Sequence, residues 1–567
     1  MSLAILFEIY KDSRTALLAV CCFIAWNLHA QNTTDETPYG LRDGFKALFQ
    51  EPVIIPAPDM EVFRDEAAYA YGIRVAFAIE NMGVWQQLED GGKIWRLKVH
   101  LPGALGTNTY YDKFWLPEGG KFFVYNEETK QSIGAVTADY IDSNRRVFTT
   151  SLIYGENVVY EYYQPESVRE LPIISIFRID YAYQKVNNPY SIGAANWYAS
   201  DSNQVNVNCQ EGDKWKAEKH AVVKISNIAG DYTYWCSGAL VNNTNNDYTA
   251  YVLTADHCLR DGTYKRYYDA EGCSNLYLDA QSDASTMIFY WEYEYPGCSN
   301  SSIVPLRSSA GNATVVANND VSDFALIRID GLQNPRYISG VCPYFLGWDN
   351  SGASGIGGVG IHHPLGDVKK IASAYKEPIS IKSKYEAVSK GEKLEDNFEY
   401  GWLISFEKTA NGHSVTEPGS SGSPFINNHR KVIGQAKASV INQGRMPYSG
   451  NTLYGKFNVS WTGNDSDNSK RRLRDWLAPG ITIPPQTLNG TFAIDGATTL
   501  MLGSTSRYRV ANLPGGFTWE SSSNINIKLE GNDVQGDGTA LGPGYLIIKD
   551  RFGVEVARLI INVVPAS

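Results

Sequence analysis

Hydrolysing an unactivated amide takes a nucleophile, a base for its proton, a group that orients the base, and donors for the developing oxyanion. Side chains of those types stand at three separated points of this sequence. The stretch EPGSSGSPFI, Glu417 to Ile426, sets Ser421 between Gly419 and Gly422, on a turn that can expose its hydroxyl. The N–H groups of Gly419 and Ser421 could converge there on an oxyanion. Loops also use Gly and Ser, so this string alone does not separate a linker from an active site. The stretch AYVLTADHCL, Ala250 to Leu259, reads as a buried strand that delivers His257 to its end, with Cys258 as an anchor. VSDFALIRID offers Asp323 directly before apolar Phe324 to Ile327. Such an Asp is ordinarily a turn residue. Its significance comes from the set: His, Asp and Ser in that chain order, each beside a strand.

The elements that must hold these side chains are strands. Tyr at 36, Trp at 13 and Gly at 51 copies lean towards strands joined by tight turns, and 43% hydrophobic with 20% charged residues is ordinary for globular chains. The fold class expected is all-β. At 567 residues the chain exceeds one core, and about 150 residues per domain suggests three or four units. A formal charge of −11 argues against nucleic-acid binding, which needs concentrated basic surface. The one basic run, Lys470 to Arg474 in SKRRLRDWLAP, interleaves Leu473 and Trp476 as an amphipathic helix would, and reads as a solvated face.

Residues 1–30 have the charged-then-apolar order of an export signal, Lys11 and Arg14 before TALLAVCCFIAWNLHA, and that run is too short to span a bilayer comfortably. Residues 31–60 form a leader. Recurrent strand patterns, among them KIWRLKVHL with Trp95, Leu97, Val99 and Leu101 alternating, mark residues 61–185 as a β-sandwich without chemistry of its own. Residues 186–206, poor in periodicity, read as a linker and processing region. Residues 207–480 hold the candidate chemistry, and ITIPPQTLNG leads into 481–567, whose short strands suggest an immunoglobulin-like sandwich. The mature chain is expected to lack a transmembrane span.

With the signal removed, Cys209, Cys236, Cys258, Cys273, Cys298 and Cys342 remain, all inside 207–480. An even set in one exported segment reads as a disulfide framework rather than a zinc site. His362 and His363 in GIHHPLGDV do not make a joint metal site with Asp367, since consecutive strand residues face opposite ways. IFYWEYEYPGC reads as core strand, and TGNDSDNSK lacks the ligand spacing of a calcium loop.

LTADHC, SDFALI and GSSGSP resemble the three catalytic blocks of trypsin-like, chymotrypsin-fold serine peptidases. The neighbouring strings CQEGD, SGALVNNT, FLGWDN, GIHHPLGDVKKI, VIGQ and YGKFNVSWTG make the span from about 205 to 478 similar to the bacterial lysyl endopeptidase branch. The resemblance implies two six-stranded β-barrels with a closing helix, His257 as general base, Asp323 as its orienter and Ser421 as nucleophile. It further implies Cys236–Cys258 and Cys209–Cys298 bridges, leaving Cys273 and Cys342, with protein or peptide substrates and no cofactor.

Two departures matter. Animal trypsins carry an Asp before the nucleophile that pairs with a freed N-terminus, and here that residue is Ser420. Lysyl endopeptidases pair substrate lysine with a pocket acid, and counting forward from Ser421 puts Thr452 there. The other expected pocket residues are Val415, Thr416, Ala438 and Ser439, with Lys437 at the rim, a set that suits acidic or neutral side chains. The expectation is a secreted or cell-surface bacterial serine endopeptidase made as a precursor, its last domain binding a cell surface, a glycan or secretion machinery. The rival reading is a catalytically silent adhesin or binding protein on a peptidase scaffold.

Overall fold

The structure, a computed structural model, describes residues 36–59, 65, 67–138, 147–184, 186, 200–259, 284–300, 307–310, 313–329, 341–381, 400–439 and 450–566. Among these the regular structure is mostly strand, with short α-helices at Phe457–Thr462 and Arg474–Leu477 and a few 3-10 turns. The export signal and Cys273 lie outside the described residues. No described helix is long and apolar enough to cross a membrane.

In the N-terminal part, alternation does what the sequence suggests. Trp95, Leu97 and Val99 of the strand Lys93–His100 are almost fully buried, and Leu101 continues the row. The opposite face is covered as well, because Arg96 is buried against Glu127 at 2.6 Å and near Glu161, whose carboxylate accepts from the N–H groups of Tyr39 and Gly40. That strand belongs to a sheet of six described strands.

The second N-terminal sheet does not end at the linker. Strand Ala68–Ala78 pairs on one side with Ile173–Ala182 and on the other with Tyr232–Leu240, in the register Tyr71↔Tyr232, Ala70↔Thr233 and Ala68↔Tyr234. One sheet of eleven described strands therefore runs from the N-terminal strands into the first barrel of the segment 207–480. An apolar cluster straddles the junction: Tyr69 stacks on Trp235 with ring centroids 3.8 Å apart, and Leu152, Tyr154, Ile288, Tyr290 and Tyr293 close around them. Ile288 to Trp291 are all buried, the core role their pattern suggests.

Within the first barrel, Val222–Ala229 and Tyr232–Leu240 form a hairpin, Tyr232–Leu240 pairs Tyr251–Ala255, and Tyr251–Ala255 pairs Phe324–Ile329. The second barrel is built on a sheet of nine described strands. In it, Gly358–His362 pairs Pro424–Asn427, which pairs Val432–Ser439, which pairs Asn451–Lys456. Helix Phe457–Thr462 packs Phe457 and Trp461 against Trp348. The basic run makes a shorter helix than its pattern suggests, Arg474–Leu477, burying Leu473 and Leu477, while Arg471 and Arg472 pair with Asp320 and Asp475.

Two sheets of four described strands each make the C-terminal part, and their inward residues, Tyr508, Val534, Leu546 and Ile548 among them, share one core. The segment leading into it is held by pairing, Leu488 against Trp348 and Phe492 against Tyr344. Arg430 bridges Glu218 of the catalytic segment to Asp550 of the last one.

Candidate active site

Strand register alone brings the His and the Asp together. Ala255 lies opposite Phe324 in an antiparallel pair, so the residues just past one strand and just before the other must face each other. Asp323 takes a left-handed backbone, φ 60°, a conformation that Asp tolerates better than most residues. Its carboxylate then accepts twice from one partner: Oδ2 lies 2.7 Å from His257 Nδ1, and Oδ1 accepts from the His257 N–H at 2.9 Å. The Asp323 side chain is 6% exposed and that of His257 35%, so the imidazole is held from behind and open in front.

Electrostatics follow from that geometry. Burial disfavours the imidazolium, but the Asp323 charge and hydrogen bond, helped by Asp256, outweigh it and raise His257 above its ordinary value, with Lys437 opposing. For Asp323, burial favours the neutral acid, yet His257 and Lys437 hold the carboxyl below its usual range.

The Ser421 turn is packed onto the same strand ends. Ser237 donates its N–H to Ser421 O at 2.8 Å and its hydroxyl to Gly419 O at 2.8 Å. Cys258, joined to Cys236 by a disulfide, sets its Sγ 3.8 Å from Ser421 O. Gly422 has φ 83°, and a Cβ there would lie 2.1 Å from Thr254 Oγ1 and 2.7 Å from Ala255 N, on the strand that delivers His257. Gly419 has φ 93°, and a Cβ there would lie 2.9 Å from His363 O and 3.0 Å from Leu365 N. The turn therefore packs against the end of the His257 strand and against His363 to Gly366 only because these two positions lack side chains. No hydrogen bond joins the Ser421 hydroxyl to His257 in this geometry, and catalytic contacts commonly tighten only when substrate binds.

Among the expected pocket residues, Thr416 and Thr452 meet, Oγ1 to Oγ1 at 2.6 Å, and both are buried. Ala438 pairs Leu453 and Ser439 pairs Thr452, while a bulge between Ala436 and Ala438 sets Lys437 out of register. Val415 presents its carbonyl to Gln204 Nε2 at 2.6 Å. A Cys209–Cys298 disulfide is present, and Cys342 is buried. His362 and His363 are both fully buried, and among the described residues no group of three or more His, Cys, Asp or Glu could hold a metal.

Sequence reasoning missed several residues that shape the turn. Ser237, Gln204 and His362 each contact it from far away in the chain, and of these only His362 in GIHHPLGDV and Ser237 in SGALVNNT lay inside strings already singled out.

Residues 198–441 match the family model of the lysyl endopeptidase C-terminal domain, a span that stops before Thr452. Among solved structures, a serine endoprotease from Yersinia pestis is 13% identical over 45% of this chain and 65% of that one, with a TM-score of 0.27. The thermostable serine protease AL20 from an extremophilic microorganism is 15% identical over 42% of this chain and 92% of that one, TM-score 0.25. Protease Anisep from Arthrobacter nicotinovorans is 18% identical over 42% and 90%, TM-score 0.24. The family match supports a serine peptidase.

Proposed function

We propose that the chain is an exported bacterial serine endopeptidase, made as a precursor with residues 61–185 ahead of the catalytic segment. The observation that carries this reading is the 2.7 Å contact between His257 Nδ1 and Asp323 Oδ2, on a histidine whose side chain stays 35% exposed. In the mechanism, Ser421 Oγ attacks the scissile carbonyl carbon while His257 Nε2 takes the hydroxyl proton. Asp323 accepts the Nδ1–H and stabilises the imidazolium. The N–H groups of Gly419 and Ser421 receive the oxyanion. His257 then gives its proton to the leaving amine, and a water, deprotonated in the same way, releases the acyl group from Ser421.

The pocket reading is separate. Thr416 and Thr452 offer hydroxyls and no carboxylate, so a substrate ammonium buried there would lack its counter-charge, at a cost of several kcal/mol. Neutral or acidic side chains fit better, with Lys437 at the rim.

A fluorophosphonate probe tests the peptidase reading: the chain should label, Ser421→Ala should not, and an unlabelled folded wild type would favour the silent binder. Mass spectrometry of a digested peptide mixture tests the pocket, and exclusive cleavage after lysine would overturn it.

A further inference from the structure

We infer that two buried ties, His362 to Ser420 and Gln204 to Glu417, lock the nucleophile turn into its working shape while the chain is still uncut, so that the precursor itself can be acylated. The inference rests on the peptidase reading and adds His362 and Gln204 to it as positioning residues.

The first tie replaces the trypsin-like acid at position 420. Ser420 Oγ lies 2.7 Å from His362 Nδ1, and neither residue is more than 1% exposed. The same Oγ accepts the Glu417 N–H at 3.1 Å, while Ser420 donates its own N–H to Glu417 O at 2.9 Å. One hydroxyl thus closes the turn and fastens it to a neighbour. That neighbour is rigid, because His362 ends a strand whose Gly360 and Val359 pair with Phe425 and Ile426, just after the nucleophile. Burial, with Lys370 adding to it, holds His362 down to about 3, so it stays neutral wherever His257 works as a base and the tie does not switch with pH.

The second tie grips the other end of the turn. Gln204 Nε2 donates to Val415 O at 2.6 Å and to Glu417 Oε2 at 2.7 Å, and its Oε1 accepts from Ser414 Oγ at 2.5 Å. Asp201 adds its N–H to Glu417 Oε2 at 3.2 Å. One buried amide therefore fixes three residues in the approach to Ser421. Among the described residues no Lys, Arg or His lies within ion-pair distance of Glu417, so the Gln204 amide and the Asp201 N–H, rather than a cation, hold its carboxylate. Every contact named is made in the intact chain.

Intact-mass spectrometry after brief fluorophosphonate exposure reads the claim directly. The adduct should sit on the full-length chain, formed at a rate within about threefold of any shortened form, on a transition-state scale where tenfold is already a large interaction. An adduct confined to shortened chains would overturn this inference alone, and no adduct on any form would overturn the peptidase reading with it. For the ties, His362→Leu and Ser420→Ala should each lower kcat about tenfold or more with KM little changed, short of the 10²–10³ that loss of an oxyanion donor costs. His362→Asn, whose amide can stand where Nδ1 does, should recover most of that loss. Gln204→Ala, which leaves the strand core untouched, carries the test should His362→Leu not fold. Variants at both ties with wild-type kcat would sink the proposal.

Discussion

An imidazole works as a base only while it is unprotonated, so the pH at which activity fails reports what surrounds it. His257 is raised above 6.5 because the Asp323 charge and hydrogen bond overcome the cost of burial. The acid limb of kcat/KM should therefore lie above that value: activity is present at higher pH and lost as pH falls through the midpoint. Asp323→Asn removes the charge that raises it, so the midpoint should move down while kcat drops about ten-thousand-fold, the scale expected when the tautomer is no longer enforced. A pH-rate series on both proteins checks this, and an unmoved midpoint would mean that Asp323 does not set the charge on His257. The pairing of His257 with Asp323 was legible in the sequence because each adjoins an apolar strand. The ties of Gln204 and His362 to the Ser421 turn were not, since hydrogen-bonding partners distant in the chain leave no local pattern.

Between residues and molecule stands the fit of one turn against one strand end. Periodicity announced the strands around His257 and Asp323, and the register Ala255↔Phe324 then left those two residues little choice of neighbour. The approach of the Ser421 turn is a different matter, because it depends on space rather than pattern. Gly422 stands at φ 83° with Thr254 Oγ1, Ser237 O and Ala255 N all inside 3 Å of where a Cβ would be. Gly422→Ala meets both strain and overlap, so it should lower stability by about 1–3 kcal/mol. The turn can relieve the overlap only by moving off the histidine strand, so labelling should fall much further than the fraction folded. Denaturant melts paired with labelling rates make the comparison, and a loss of labelling that merely tracked unfolding would refute the close-approach argument. The basic helix was over-read for a related reason: SKRRLRDWLAP has helical spacing, yet Arg472 is extended and only the final turn is α-helical.

At the scale of the whole molecule, the sequence suggested a boundary near residues 186–206 but not the sheet that joins the strands on either side of it. Edge-to-edge pairing carries no compositional mark, because a strand reads alike whether its neighbour belongs to the same sandwich or the next. The crossing is secured by Arg178, 1% exposed, which donates to Asp180 Oδ1 at 2.8 Å within its own strand and reaches over to Gly230 O, Asp231 O and Thr233 Oγ1 on the hairpin of the catalytic segment. Thr233 and Tyr110 hydroxyls complete the shell around Asp180. Arg178→Met would leave a fully buried carboxylate with no cation within ion-pair distance among the described residues, and would take one donor each from Gly230 O, Asp231 O and Thr233 Oγ1, a loss of about 3–5 kcal/mol for a broken buried pair. Because Tyr232–Leu240 both receives the N-terminal strand and supplies Cys236 and Ser237 to the nucleophile turn, the damage should not stay in the sandwich. Melting followed by tryptophan fluorescence and by fluorophosphonate labelling should shift together to lower temperature. If labelling held its wild-type midpoint while fluorescence alone shifted, the continuous sheet would be a contact between independent units, and the N-terminal strands would have no part in holding the site.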